Sequence, residues 1–279
     1  MKILTSTVVV MAFFGSAEAA DDLRTKADAI LGEALASKNP DTRKQAVAAL
    51  SLAGAREPYA SRLINALQDG DVEVRLAAVS SLSEVKSSAS RAALRKALED
   101  EVPEVSFAAA KALWALRDPA GRRALMAVLE GENKTSSSFL SRQKREALRM
   151  MHTPRTALLF AARQGAGFAP IPGLGGGISS MQSILTDPAV SGRAAAALLL
   201  CQQNDPGTLQ ALTDALQEKD ASLRASAVHC LALKNSAVLQ KQMATLLADE
   251  KEPVRLRAAS AYVRLSAPRS VPAPAAAKP

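Results

Sequence analysis

Aromatic side chains are scarce in this chain: one Trp, two Tyr and six Phe in 279 residues. Base stacking by basic and aromatic residues in alternation therefore has no material, which argues against a nucleic-acid partner. Only two histidines occur, His152 and His229, and no His-x-x-x-His or Cys-x-x-Cys spacing appears. That leaves no metal-ligand motif to recommend a cofactor. A cysteine nucleophile would need a partnered base, and none is evident. Gly173-Leu-Gly-Gly-Gly177 lacks the Lys-Ser/Thr of a phosphate-binding loop and follows no strand. Long apolar runs are missing too, apart from one stretch at the start.

That stretch, 3–14, is largely apolar and about as long as a signal core, but too short to span a bilayer. Lys2 precedes it, and Ala17-Glu-Ala19 supplies small residues before a cleavage position. Residues 1–19 therefore read as a secretory signal cut before Ala20, leaving a periplasmic or secreted chain. An uncut N-terminal anchor is the competing reading. Asp21 and Asp22 would then open the first helix, where its dipole favours negative charge.

What the chain has in abundance is Ala and Leu at helical spacing, and the pattern recurs. Arg75 is followed by Ala78, Val79 and Leu82, one helical stripe. The same arrangement follows Arg43, Ser106, Lys144, Arg193, Arg224 and Arg255, with spacings of 32, 31, 38, 49, 31 and 31. A second stripe, Leu63, Ile64 and Leu67, precedes the first, and Gln68-Asp-Gly-Asp71 between them favours a turn. Each unit is thus two short antiparallel helices, and a lone pair leaves apolar surface open. Units must stack. Asn39-Pro40, Glu57-Pro58 and Asp118-Pro119 mark helix starts, because Pro fits the first turn.

An Asp in the turn, followed by Val and Arg five and six residues later, occurs as Asp69, Val74, Arg75 and as Asp249, Val254, Arg255. This resembles the HEAT-repeat family, particularly the short repeats of phycobilisome lyase-associated proteins. Asp187 with Arg193 keeps the acid and the base, Glu218 with Arg224 is a conservative version, and Ser37 before Arg43 has lost the acid. The resemblance implies an all-α fold, a right-handed solenoid of about seven helical hairpins over 20–265. It implies that Arg43, Asp69, Arg75, Lys144, Asp187, Arg193, Arg224, Asp249 and Arg255 link the turns of neighbouring repeats. Relatives that hold a di-iron centre use His-Glu pairs, which this chain lacks, so no cofactor is expected.

The middle of the array is irregular. Residues 131–138 lengthen one turn, and 165–178 insert a loop with six glycines and two prolines. Phe168, Ile171 and Leu174 in that loop are apolar. They either fold back to plug the gap between repeats or form an exposed finger that touches a partner or lipid. The tail, 266–279, is rich in Ala and Pro and reads as disordered.

The net charge is +8 and the pI about 9.7. It favours an acidic protein partner or an anionic envelope surface. Along the presumed concave face, Lys111, Arg149, Arg257 and Arg264 are the candidate contacts, since Arg is frequent at interface hot spots. His229 reads as a surface residue. Cys201 and Cys230 fall on positions equivalent to 83 and 81, which point to different sides of a helix, so they are expected as two buried thiols. The expectation is a non-enzymatic exported scaffold. The alternatives are a peripheral membrane protein using the basic helix 142–149 and the loop 165–178, and a lyase-type enzyme or accessory protein.

Overall fold

The computed structural model describes residues 6–129, 191–234 and 239–266, with side chains from Ala20 onward. Every regular element among the described residues is a helix or a 3-10 turn. The first group comprises α1 (Ser6–Leu35), α2 (Pro40–Leu50), α3 (Tyr59–Asn65), α4 (Val72–Val85), α5 (Ser88–Lys96), α6 (Pro103–Ala115) and α7 (Pro119–Leu129). The second comprises α8 (Gly192–Leu199), α9 (Pro206–Ala215), α10 (Ala221–Leu233), α11 (Gln240–Leu246) and α12 (Glu252–Ser266). The chain is an all-α solenoid. The repeat positions Lys144 and Asp187, the loop 165–178 and the tail from 267 lie outside the described residues.

The helix starts follow local chemistry. Asn39 accepts a hydrogen bond from the Asp41 amide with Pro40 in the first turn. Asp71 caps α4 through the Glu73 and Val74 amides, and Asp220 caps α10 through those of Ser222 and Leu223. The second helix of each unit carries the stripe read from the sequence. Ala46, Val47 and Leu50 are buried in α2, as are Ala78, Val79 and Leu82 in α4. The same holds for Ala227, Val228 and Leu231 in α10. These second helices form the inner layer: α2, α4 and α6 lie side by side, as do α8, α10 and α12. Small Ala side chains bring them close. At Gly121 in α7 the approach is closer still, and a Cβ there would run into the backbone of Leu113 and Trp114.

The two groups are not the two ends of an open array. α1 packs along α12 as well as along its own partner α2, and α12 also packs on α2 and the 3-10 turn after it. In space the inner layer therefore runs α8, α10, α12, α2, α4, α6. The last repeat of the chain precedes the first. At this seam the Tyr262 hydroxyl donates to the carbonyl of Ala20 at 3.3 Å. Arg56 donates to the carbonyls of Val263 and Arg264, at the C-terminal end of α12. Arg264 donates back to the Leu52 carbonyl at 3.1 Å. Gly54, at φ +76°, turns the chain away just beside that guanidinium. Ala27 and Leu31 of α1 are wholly buried here.

Candidate functional site

Among the described residues, three guanidinium–carboxylate forks of one geometry join the turns of neighbouring units. Arg43 sends Nε and Nη2 to the Asp69 carboxylate at 2.7 and 2.8 Å. Arg75 does the same to Asp100, and Arg224 to Asp249. Each of these forks is bidentate, the strong form of the pair. The remaining Nη1 of each Arg turns to a carbonyl six residues back: Ser37, Asp69 and Glu218 respectively. One guanidinium thus ties its own turn to the next turn. The acid completes the arrangement by accepting an amide two residues on, as Asp69 does from Asp71 and Asp249 from Lys251.

The electrostatics agree with that reading. The Arg43 side chain holds the Asp69 carboxyl below the usual range, outweighing burial. For Asp249 burial pushes upward most, yet the Arg224 fork and the Lys251 amide together bring it below its ordinary value. Arg43 and Arg224 are correspondingly raised by their partners' carboxylates.

Two rungs use substitutes. Ser106 has no guanidinium, and its hydroxyl merely donates to Pro103. There Arg95, from the preceding helix α5, reaches Asp118 at 2.6 Å. Arg193 pairs with Glu218 at 2.8 Å by a single hydrogen bond. Arg255 keeps the bonds to its own turn, at Asp249 and Glu250, but has no carboxylate in the next unit, where Ser37 stands. The pairing of Arg62 with Asp28 across α3 and α1 has no counterpart in the repeat pattern.

The two cysteines depart from the expectation of separate thiols. Cys201 and Cys230 form a disulfide, with Cα atoms 5.0 Å apart. The helical-wheel reading fails because Cys201 is not on α8. It sits in the 3-10 turn Leu200–Gln202 that ends it. That turn rotates its side chain towards α10.

The proposed concave stripe is rearranged in the same half. His229, expected at the surface, is buried. Burial first, and then the nearby Arg257 and Arg264, press its pKa from 6.5 down to about 3, so it is neutral. Arg257 is buried and donates to Pro253 of its own helix. Arg264 is held in the seam. Neither stands open to a partner, because α12 has α2 on its far side where the sequence suggested an array end. Lys111, by contrast, is exposed. Three residues on, Trp114 is 55% exposed, and Arg117 lies just past the end of α6. Its position, equivalent to Ser83, lies on neither the core stripe nor the presumed concave stripe, so periodicity does not single it out. Arg149, Phe168, Ile171 and Leu174 lie outside the described residues.

The family model for HEAT repeats matches residues 60–136 and 178–263. The chain belongs to the HEAT-repeat family. HEAT repeats generally mediate protein–protein interactions, and the guanidinium–carboxylate ladder here is the internal scaffolding of such an array. No curated protein matches the chain. No described helix of this HEAT-repeat protein is long and apolar enough to cross a membrane.

Proposed function

We propose that this HEAT-repeat protein is an exported, non-enzymatic scaffold that binds an acidic protein partner. The observation that carries the reading is the exposed face of α6. Lys111 and Trp114 share one side of the helix, and Arg117 follows. An accessible Trp beside cations is the composition of an interface hot spot. Arg122 and Arg123, exposed at the start of α7, extend the positive charge. Export is supported by the disulfide, since such bonds persist in oxidising compartments. A chain beginning at Ala20 would keep the buried residues Ala27, Leu31 and Ala34 of α1.

The test is cross-linking capture from native envelope extract, with wild type and a Lys111→Glu/Trp114→Ala variant side by side. An acidic protein cross-linked to 111–123 in wild type and lost in the variant supports the reading. Equal capture by both removes this face. Sequencing of the mature N-terminus is expected to begin at Ala20, and an intact Met1 on cytoplasmic protein overturns export.

A further inference from the structure

The seam places three inner helices side by side, α10, α12 and α2, and their equivalent positions form rows. One row is Ser226, Arg257 and Gln45. The next is His229, Ser260 and Ala48. The third is Leu233, Arg264 and Leu52. These positions contain six polar residues and no acid. Ser226 and Ser260 are wholly buried, and neither hydroxyl has a hydrogen-bond partner. Oε1 of Gln45 and Nε of Arg264 are also buried without one. Native interiors rarely leave several such atoms together.

The charge is equally one-sided. Arg264 spends one nitrogen on the Leu52 carbonyl, and Arg56 spends its own on the carbonyls of Val263 and Arg264. Each of these acceptors is a neutral carbonyl. The two guanidinia are close enough that Arg56 opposes the charge on Arg264, after burial, which opposes it most.

We propose that this face binds a small oxyanion, a carboxylate or a phosphate group, between Arg264, Ser260 and Arg56. Ser260 and Arg264 are one helical turn apart on the same side of α12, so Oγ and Nε can donate to one group. A planar guanidinium is well suited to such an anion. Ser226 and Gln45 continue the polar lining along the helices. The Gln45 amide offers a donor when its two ends exchange places. The site exists only because the last repeat meets the first, so it is a property of the seam and separate from the α6 face.

The experiment uses the full mature chain with its disulfide intact. Sodium orthophosphate and sodium succinate are titrated separately, against sodium chloride at matched ionic strength. Binding is read by calorimetry and by the thermal midpoint. The expected result is saturable binding of at least one of the two anions, with a rise in midpoint that chloride does not reproduce. Saturation by phosphate or by succinate names the class. Ser260→Ala removes one hydroxyl and places there the residue that α2 has as Ala48, so the variant folds. It should weaken binding by about tenfold, the loss of one hydrogen bond to a charged group. Arg264→Gln should abolish it. Midpoints that follow ionic strength alone, or equal binding by wild type and Ser260→Ala, overturn the proposal.

Discussion

Between α4 and α6 the repeats are tied by Arg75 and Asp100, whose side chains are 8% and 11% exposed. Between α8 and α10 the corresponding pair, Arg193 and Glu218, is 65% and 40% exposed and makes one hydrogen bond in place of a fork. That second junction is the one that carries the disulfide. A third junction, the seam, has no acid for Arg255 and is held by the reciprocal Arg56 and Arg264 bonds to backbone carbonyls. The comparison shows that the repeat needs a tie at each junction more than it needs one particular tie. Where the buried fork is weakened or missing, another kind of bond stands at the same junction, at the other end of the helix.

The sharpest way to break this comparison is at its strong rung. Asp100→Ala leaves the Arg75 guanidinium buried without its carboxylate, and loss of one partner of a buried pair costs about 3–5 kcal/mol. Urea unfolding should show it, and a loss below about 1 kcal/mol would mean that the rung is ornamental. Next comes the covalent tie. Cys201→Ser with Cys230→Ser opens a loop of 29 residues, which corresponds to about 3–4 kcal/mol in the chain-entropy account. Hydrogen exchange should show lost protection in 191–233 while 72–115 keeps its own. A uniform loss across both stretches would count against separate ties.

The third prediction separates the halves by pH. His229 has a folded pKa near 3, set first by burial and then by Arg257 and Arg264. The unfolded residue takes up a proton below about 6.5, and the folded one resists. Its contribution is therefore fully present above about 6.5 and declines as the pH falls towards about 3. The carboxylates of Asp69 and Asp249, lowered in the folded chain, lose theirs only further down, as the pH falls through their depressed values. The urea midpoint should already drop between pH 7.5 and 5, and His229→Gln should flatten that decline. The smallest effect is expected at Arg193→Ala, because the pair is open to solvent. Its midpoint should match wild type while the disulfide is intact and fall below it only after reduction.

Much of this was legible in the chain itself. The spacing of Arg43, Arg75 and Arg224 carried the fold, while the link from one turn to the next came from the resemblance to HEAT repeats. The absence of an acid at Ser37 was a sign of an unusual first junction, although periodicity cannot say what lies before a first repeat. The role of Arg95 was hidden because it comes from the other helix of its unit and substitutes for Ser106 out of register. The disulfide was misread because the wheel assumed that α8 continues to Cys201, whereas its last turn tightens. Trp114 was visible only as composition, since exposure depends on which neighbours a helix has.

The bond from Tyr262 to Ala20 spans 242 residues, and that distance has a bearing on how the chain is made. Synthesis releases the N-terminal part first. Helix α1 therefore emerges with Ala27, Leu31 and Ala34 in want of a groove that only α12 completes. Units such as α3 to α6 can close on local contacts as they appear, but the first helix must wait for the last. The meeting of the two ends is then the step expected to be slow in folding, since its contacts are so distant along the chain. The same adjacency allows a short peptide to join residues 20 and 266, with new ends opened elsewhere, and a chain so rewired would meet its own first helix early.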